Sequence, residues 1–559
     1  MDITETLQLV VKHNESKFND LQQTPSLIRR LSKNGPSISI GDVDQDGLDD
    51  IFLGNDKGEK STIFIQGTNN TFSKLEIDLD SLPEDMGSLL FDADADGDLD
   101  LYVVSGGSAW MENETAYQDR LYFNEGSGRF QLKDDALPEI SSSGSCVIAS
   151  DFDRDGDLDL FIGGRLVPNK YPSASQSYLL ENVDGKFYDK SKKLGEKQGL
   201  LGMVTSALWT DVNNDNIPDL MVVGEWMQIT VLLNMDNSFV DQTKIYNLSN
   251  TDGWWNSING GDFDNDGDID YLVGNYGLNS FYKASLDQPL EIYAKDFDRN
   301  GTFDPIMTKY ILGESYIVHP RNILFSLIPS IENRFVTFES YGNTPFKNIF
   351  TPQELEGAIH FSCKMMQSVV LENVDGKQFK IHDLPIKAQF SPVFGSVLDD
   401  FNNDNRLDIM IIGNSMAEES IAGYYDASYG NVMINKGDFK WEVLDPSKTN
   451  LIADGDKKAL GQIVVDGNPI YLMTENDGFL QAFTHHKQDN RVMNLVRMDW
   501  FYELNYKGLK RKVELYYGSG YLSSSSRSIW LPDGIGNVSI FNYQGKSRII
   551  SSDKEGDRK

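Results

Sequence analysis

The fold class that this sequence predicts is all-β: a β-propeller of four-stranded blades with a small β module at its C-terminal end. Three observations predict it. A nine-residue acidic loop recurs seven times, each time ahead of a short apolar run. The first five copies open 50 to 60 residues apart, about one blade. A second hairpin signature, an apolar-aromatic strand, a turn and a Phe, recurs between them, as in Leu121–Phe130, Tyr178–Phe187 and Val231–Phe239.

Residues 1–36 read as a lead-in. Leu21, Leu27, Ile28 and Leu31 suggest a short helix interrupted at Pro25, and Asn34-Gly35-Pro36 ends it. The repeat region then runs over residues 37–488. Its first loop carries Asp42, Asp44, Asp46 and Asp50 at positions one, three, five and nine, and its second Asp92, Asp94, Asp96 and Asp100. The third carries Asp151, Asp153, Asp155 and Asp159, and the fifth Asp262, Asp264, Asp266 and Asp270. Three copies include an amide. They are Asp211, Asn213, Asp215 and Asp219 in the fourth, Asp296, Asp298, Asn300 and Asp304 in the sixth, and Asp400, Asn402, Asp404 and Asp408 in the seventh.

A hard cation such as Ca²⁺ takes six to eight oxygen ligands, and carboxylates at alternate positions of a tight turn converge on one point. Up to seven Ca²⁺ sites are therefore expected, weaker where Asn removes charge. An EF-hand would need Glu at position twelve, where this chain has Leu53, Val103, Ile162, Val222, Val273, Met307 and Ile411. The loops are instead hairpin connections. Asp-Gly turns favour hairpins with no metal, but that explains one or two acids per turn, not four oxygen-bearing positions in register seven times.

After the fifth loop the spacing falls to 34 and then rises to 104 residues, which reads as a shortened blade followed by an insertion at about 320–367. A metal-free unit follows, with strands at Leu460–Val465, Pro469–Thr474 and Phe479–Thr484. That makes eight units, with seven blades plus a remnant as the other count. Residues 489–552 read as a small all-β module and 553–559 as a tail.

The formal charge of −35 argues against nucleic acid or an anionic membrane surface as partner. Because the Asp residues recur in register, bound cations are the sharper reading of that charge. Cys146 and Cys363 are too few for a disulfide framework, and no run of about 18 apolar residues could span a membrane. Met1–Glu5 shows neither a basic nor an apolar signal region.

The motif Asp151-Phe152-Asp153-Arg154-Asp155-Gly156-Asp157-Leu158-Asp159-Leu160 resembles FG-GAP and VCBS-type repeats, whose loop type integrin α-subunit propellers share. Tyr517-Gly518-Ser519-Gly520-Tyr521-Leu522-Ser523 with Ser526-Arg527 resembles the ASPIC/UnbV module, without its Gly-Leu-Gly motif. Gly202–Thr205, Gly224-Glu225-Trp226 and Gly253–Asn256 are similar to the propellers of large VCBS-repeat proteins of Gram-negative bacteria. The resemblance implies an extracytoplasmic, outer-membrane setting, with a glycan or a protein of a TonB-dependent transporter complex as partner.

If every metal loop lies on one face of the disc, the opposite face collects Trp110, Tyr117, Arg120, Arg165, Glu225, Trp226, Trp254, Trp255, Asn256 and Asn275. Exposed ring faces beside hydrogen-bonding groups would suit a sugar or peptide. Of these, Trp110, Arg165, Glu225, Trp226, Trp254, Trp255 and Asn256 are the ligand candidates. Tryptophans wedged between blades are the other reading, although neighbours such as Trp254 and Trp255 cannot point the same way along a strand. No zinc pattern, nucleophile elbow or phosphate loop is present, so no catalytic residue is assigned. The expectation is a non-catalytic, Ca²⁺-stabilised binding propeller. The alternative is a Ca²⁺-dependent polysaccharide lyase or glycosidase built from Asp and an Arg such as Arg165.

Overall fold

The computed structural model describes residues 1–75, 79–112, 114–485, 490–506, 509–532 and 538–550. His486, Asn537 and the tail at 553–559 lie outside them. The molecule is a seven-bladed propeller. Blade 1 is built from Ile38–Gly41, Asp50–Leu53, Thr62–Gln66 and Phe72–Leu75, and blades 2, 3 and 4 repeat that antiparallel order. The first strand of each blade touches that of the next, from Ile38–Gly41 round to Lys457–Val465 and back, so the seven inner strands ring the axis.

Inner strands such as Glu84–Phe91 and Ser143–Ser150 are buried along their whole length. They pass so closely that a Cβ on Gly87 would lie 2.6 Å from the Ser145 carbonyl oxygen. Glycine is required there by space.

Blade 5 corrects the expected unit count. Its first two strands, Ser257–Gly261 and Asp270–Gly274, pair onward with Val369–Val374 and Gln378–Asp383. Everything between, residues 275–368, is one insertion, longer than the 320–367 expected. It forms its own four-stranded sheet, ordered Glu314–Ile317, Asp304–Ile311, Leu290–Lys295 and Ile359–Cys363. Leu324, Phe325, Ile328, Phe335, Tyr341 and Phe350 pack with Ile306 as that unit's core. The sixth acidic loop belongs to this inserted sheet, and the shortened blade does not exist.

Blade 7 has strands Lys457–Val465, Asn468–Glu475 and Gln481–Thr484 from the end of the propeller. The N-terminus supplies its outer edge. Ile3 N–H donates to Ala482 O at 2.8 Å, and Asp2 and Lys12 bridge antiparallel to Phe483 and Phe479. The ring thus closes by hydrogen bonds between its two ends. The lead-in then runs on, with helix Asp20–Gln23 capped by Asn19 and finished before Pro25; it does not resume, and the stretch with Leu27, Ile28 and Leu31, expected to be helical, is irregular.

The C-terminal module carries a four-stranded sheet, ordered Leu509–Glu514, Asp499–Tyr506, Val538–Asn542 and Ser547–Ile550. Between them the chain leaves the module and enters the propeller axis. Tyr517 O accepts from Ala149 N–H at 3.0 Å in blade 3, and Gly520 N–H donates to Ile258 O at 2.9 Å in blade 5. Leu522 O accepts from Ile38 N–H in blade 1, and Ser526 N–H donates to Gln462 O in blade 7. The stretch that resembles an ASPIC/UnbV signature is therefore a plug that fastens the inner strands to one another.

Candidate functional site

Each acidic loop has the same local structure because its backbone demands are local. Position six turns through positive φ in all seven copies, between 59° at Asn216 and 107° at Gly156. Position four does so too, from Asn214 at 60° to Ala95 and Arg299 at 65°. Glycine supports φ > 0 without cost and Asn tolerates it. The position-five side chain then accepts the N–H of position seven, as from Leu48 to Asp46 at 2.9 Å and from Asp268 to Asp266 at 2.8 Å.

This winding gathers the carboxylates. Asp42, Asp44 and Asp50 offer oxygens within 4.8 Å of one another, and so do Asp92, Asp94 and Asp96. Asp151, Asp153 and Asp159 converge likewise, as do Asp262, Asp264 and Asp270, and Asp296, Asp298 and Asp304 in the insertion. Loops four and seven form no such group among the described residues. Buried oxygens Oδ1 of Asp42, Oδ1 of Asp92 and both oxygens of Asp151 lack a partner, although Asp151 is fully buried. Burial, reinforced by the neighbouring carboxylates, pushes Asp151 up to about 7. All-oxygen donors, crowded like charges and orphaned lone pairs fit a hard divalent cation of the Ca²⁺ type. Such an ion would join the two strands of a hairpin and offset both the burial and the mutual repulsion of these carboxylates.

The ninth residue has a second task that the sequence did not reveal. Asp50, Asp100, Asp159, Asp219, Asp270 and Asp408 each accept, at 2.8 Å, the N–H of a residue in the blade's third strand. Those residues are Gln66, Asn124, Asn182, Asn234, Asn373 and Asn435. Their amide side chains cross to the preceding blade and donate to the carbonyl of Val464, Val43, Ala93, Phe152, Val212 and Phe263 at 2.7–3.2 Å. All but Val464 are position two of an acidic loop. Among the described residues, five blade seams are thus stitched from loop to strand to neighbouring loop, and a sixth ends on the inner strand that carries Val464. The sequence signal for these stitches is an Asn at the same place in successive third strands, Asn124, Asn182, Asn234, Asn373 and Asn435.

The opposite face holds the other candidates, but closed. Trp254, Trp255, Trp226, Arg165, Glu225 and Asn256 are all buried. Leu27, Ile28 and Leu31 of the lead-in cover them, joining one core with Trp226, Trp254, Tyr276 and Tyr282. Rings that were expected to be exposed are therefore covered by residues more than 190 positions away in sequence. Trp254 packs edge-on against Trp226, Tyr276 and Tyr282 at 5.1–5.4 Å, whereas Trp255 turns into a separate core with Leu208 and Val223. Trp110 alone keeps a partly exposed ring, and Lys57 Nζ sits 3.4 Å above it. Arg120 is buried against Asp85 at 2.6 Å, Tyr117 donates to Trp110 O, and Asn275 donates to Met365 O.

At the centre of this face Glu225 accepts from Arg29 at 2.8 Å, from Arg165 at 2.7 Å and from Tyr171 at 2.7 Å. Burial alone would raise its carboxyl, but the two guanidiniums outweigh burial and hold it down at about 2. The group is a satisfied ion-pair cluster that clamps the lead-in to blades 3 and 4.

A roomier space lies on the metal side. A cleft of about 670 Å³ separates loops one and two and the Asp466-Gly467 turn from the C-terminal module. Arg497 and Arg527 line it with Tyr517, Ser525 and Val496. Arg527 stacks on Tyr517 at 3.7 Å and donates to Arg497 O, yet its Nε and the Arg497 Nη1 are buried without partners.

The repeat is matched by a known family profile. A sequence profile of the FG-GAP-like repeat matches residues 42–103, 92–162 and 211–273. No curated protein matches the chain. Among solved structures, Saccharomyces cerevisiae Sqt1 is similar at 12% identity and a TM-score of 0.36, over 82% of this chain and 100% of that one. The exotype rhamnogalacturonan lyase YesX is similar at 12% identity and a TM-score of 0.38, over 81% of this chain and 72% of its own.

Proposed function

We propose that this protein is a non-catalytic, Ca²⁺-stabilised binding propeller that works outside the cytoplasm, engaging a glycan or a partner protein of an outer-membrane uptake complex. The observation that carries the reading is convergence: five loops each hold three carboxylates within 4.8 Å. Buried like charges at that distance are costly unless a cation joins them. Loops of this kind in extracellular modules bind Ca²⁺ at about 10⁻⁴–10⁻³ M, a concentration found outside cells. FG-GAP-like repeats support an interaction role in such a setting.

With the opposite face covered, the ligand belongs in the cleft by the C-terminal module. Interdomain clefts of roughly 300–1,000 Å³ with a few convergent polar groups are common binding sites. The guanidiniums of Arg497 and Arg527, each tethered through its other nitrogens, suit a carboxylate-bearing glycan or an acidic peptide segment. Arg165, the Arg named for a lyase, is committed to Glu225 and Met203 O.

The test is incubation of the Ca²⁺-loaded protein with acidic and neutral oligosaccharides. Retention of the acidic sugars unaltered, abolished by Val496→Trp in the cleft, is the expected result. New reducing ends or unsaturated products would sink the non-catalytic reading and favour the lyase alternative.

A further inference from the structure

Loops four and seven differ from the other five in several ways at once. Each has Asn at position three, Asn213 and Asn402, and Asn instead of Gly at position six, Asn216 and Asn405. Neither gathers three carboxylates among the described residues. Loop four is also entered by a cation from one strand of the C-terminal module, Leu509–Glu514, closer than Arg497 comes to loop two, where its Nε lies 3.8 Å from Asp92 Oδ2. Neighbouring residues of a strand point to opposite sides. This strand lies over blade 5, where Lys512 N–H donates to Asp262 Oδ2 at 3.1 Å. It therefore sends Lys512 toward blade 4 and Arg511 toward blade 6.

At loop four the fit is close. Lys512 Nζ lies 2.8 Å from Asp211 Oδ2, with 7% of its side chain exposed and none of the aspartate's. Glu514 Oε1 is 3.9 Å from the same ammonium and accepts Asp211 N–H at 3.0 Å. The remaining demands of Asp211 are met by Asp215 N–H at 2.9 Å and Asn216 N–H at 3.1 Å. Asp151, its counterpart in loop three, has two oxygens with no partner.

We propose that Lys512 is a built-in cation, its ammonium standing in loop four where the other loops take a metal ion, so that this loop binds none. The ligand arrangement favours this, because position three of loop four is an amide and its three carboxylates do not gather within 4.8 Å of one another as those of loop six do. A divalent ion entering loop four would have to expel a buried ammonium or endure its repulsion at a few ångströms. The module is thus tied to the propeller through the one loop that Lys512 enters. This corrects the expectation that loop four is merely a weaker Ca²⁺ site.

The inference rests on the metal reading, and counting bound Ca²⁺ by equilibrium dialysis at millimolar Ca²⁺ separates the two. Asp155→Ala, in loop three, is expected to lower the count by one ion per chain, whereas Asp215→Ala, the same exposed position in loop four, leaves it unchanged. Lys512→Met is expected to gain one ion, with a thermal midpoint below wild type in EDTA that recovers on adding Ca²⁺. Lys512→Arg keeps the wild-type count. Loss of an ion in Asp215→Ala overturns this inference alone, even if Lys512→Met fails to fold. A wild-type chain that binds no Ca²⁺ overturns both.

Discussion

Replacing Asn182 with Ala tests whether the stitched seams carry the ring. Asn182 is fully buried. Its Nδ2 donates to Ala93 O of blade 2 at 2.8 Å and to Leu158 O of its own loop at 3.1 Å, and its Oδ1 accepts from Gly185 N–H at 2.9 Å. Truncation removes three hydrogen bonds and leaves two carbonyls and one N–H buried without partners. When one partner is removed, the cost is set by each group left orphaned, about 1–3 kcal/mol. Three such groups, at the lower end because the site partly relaxes, give a loss of about 4 kcal/mol. An unfolding entropy of roughly 2.1 cal/mol/K per residue gives about 1 kcal/mol/K for several hundred residues, so the midpoint falls by about 4 °C. Calorimetry with saturating Ca²⁺ and again with EDTA is the measurement, because a seam effect persists in both. Val183→Ala, at the exposed neighbour in the same strand, is the control and should move the midpoint by less than about 1 °C. If Asn182→Ala behaves like that control, the seams do not hold the blades together.

Three further outcomes are expected. Chelation lowers the melting temperature by several degrees and Ca²⁺ restores it, with Asp151→Asn narrowing the gap between the two states; a midpoint indifferent to EDTA would count against the metal loops. Glu225→Ala strands Arg29 and Arg165 in a buried site and is expected to cost about 3–5 kcal/mol in urea unfolding, because uncompensated buried charge is expensive; a loss below about 1 kcal/mol would show that water reaches the cluster. Glu15, whose carboxyl burial and Asp56 push up to about 8 from an unfolded value of 4.5, gives stability that is full below about pH 4.5 and lost as pH rises to about 8. Glu15→Gln should flatten that part of the pH–stability curve, and an unchanged slope would assign the decline to other carboxyls.

The acidic loops were legible because everything that makes them is local. Nine residues contain the ligands, the two positive-φ positions and the start of the second strand, and the structure places all seven as hairpin connections. Four-stranded blades were legible for the same reason, since a hairpin and its turn sit side by side in sequence. The reading went astray where contact is distant. The sixth loop looked like a blade by spacing, yet it sits in an inserted sheet, because nothing local tells Gly274 that its partner strand resumes at Val369. The Asn stitches were visible as a repeated letter, but not as bonds, because their acceptors lie in the preceding blade.

By itself the sequence determined an all-β repeat chain whose hairpin turns carry carboxylates in register. Only the tertiary structure decided that seven blades close on an N-terminal strand, that Tyr517–Ser526 plugs the axis, and that residues 27–31 seal Trp226 and Trp254 from solvent. Turn geometry and ligand spacing are properties of neighbouring residues. Ring closure, burial and the pairing of Lys512 with Asp211 are properties of residues brought together from hundreds of positions apart, and they exist only once the chain has folded.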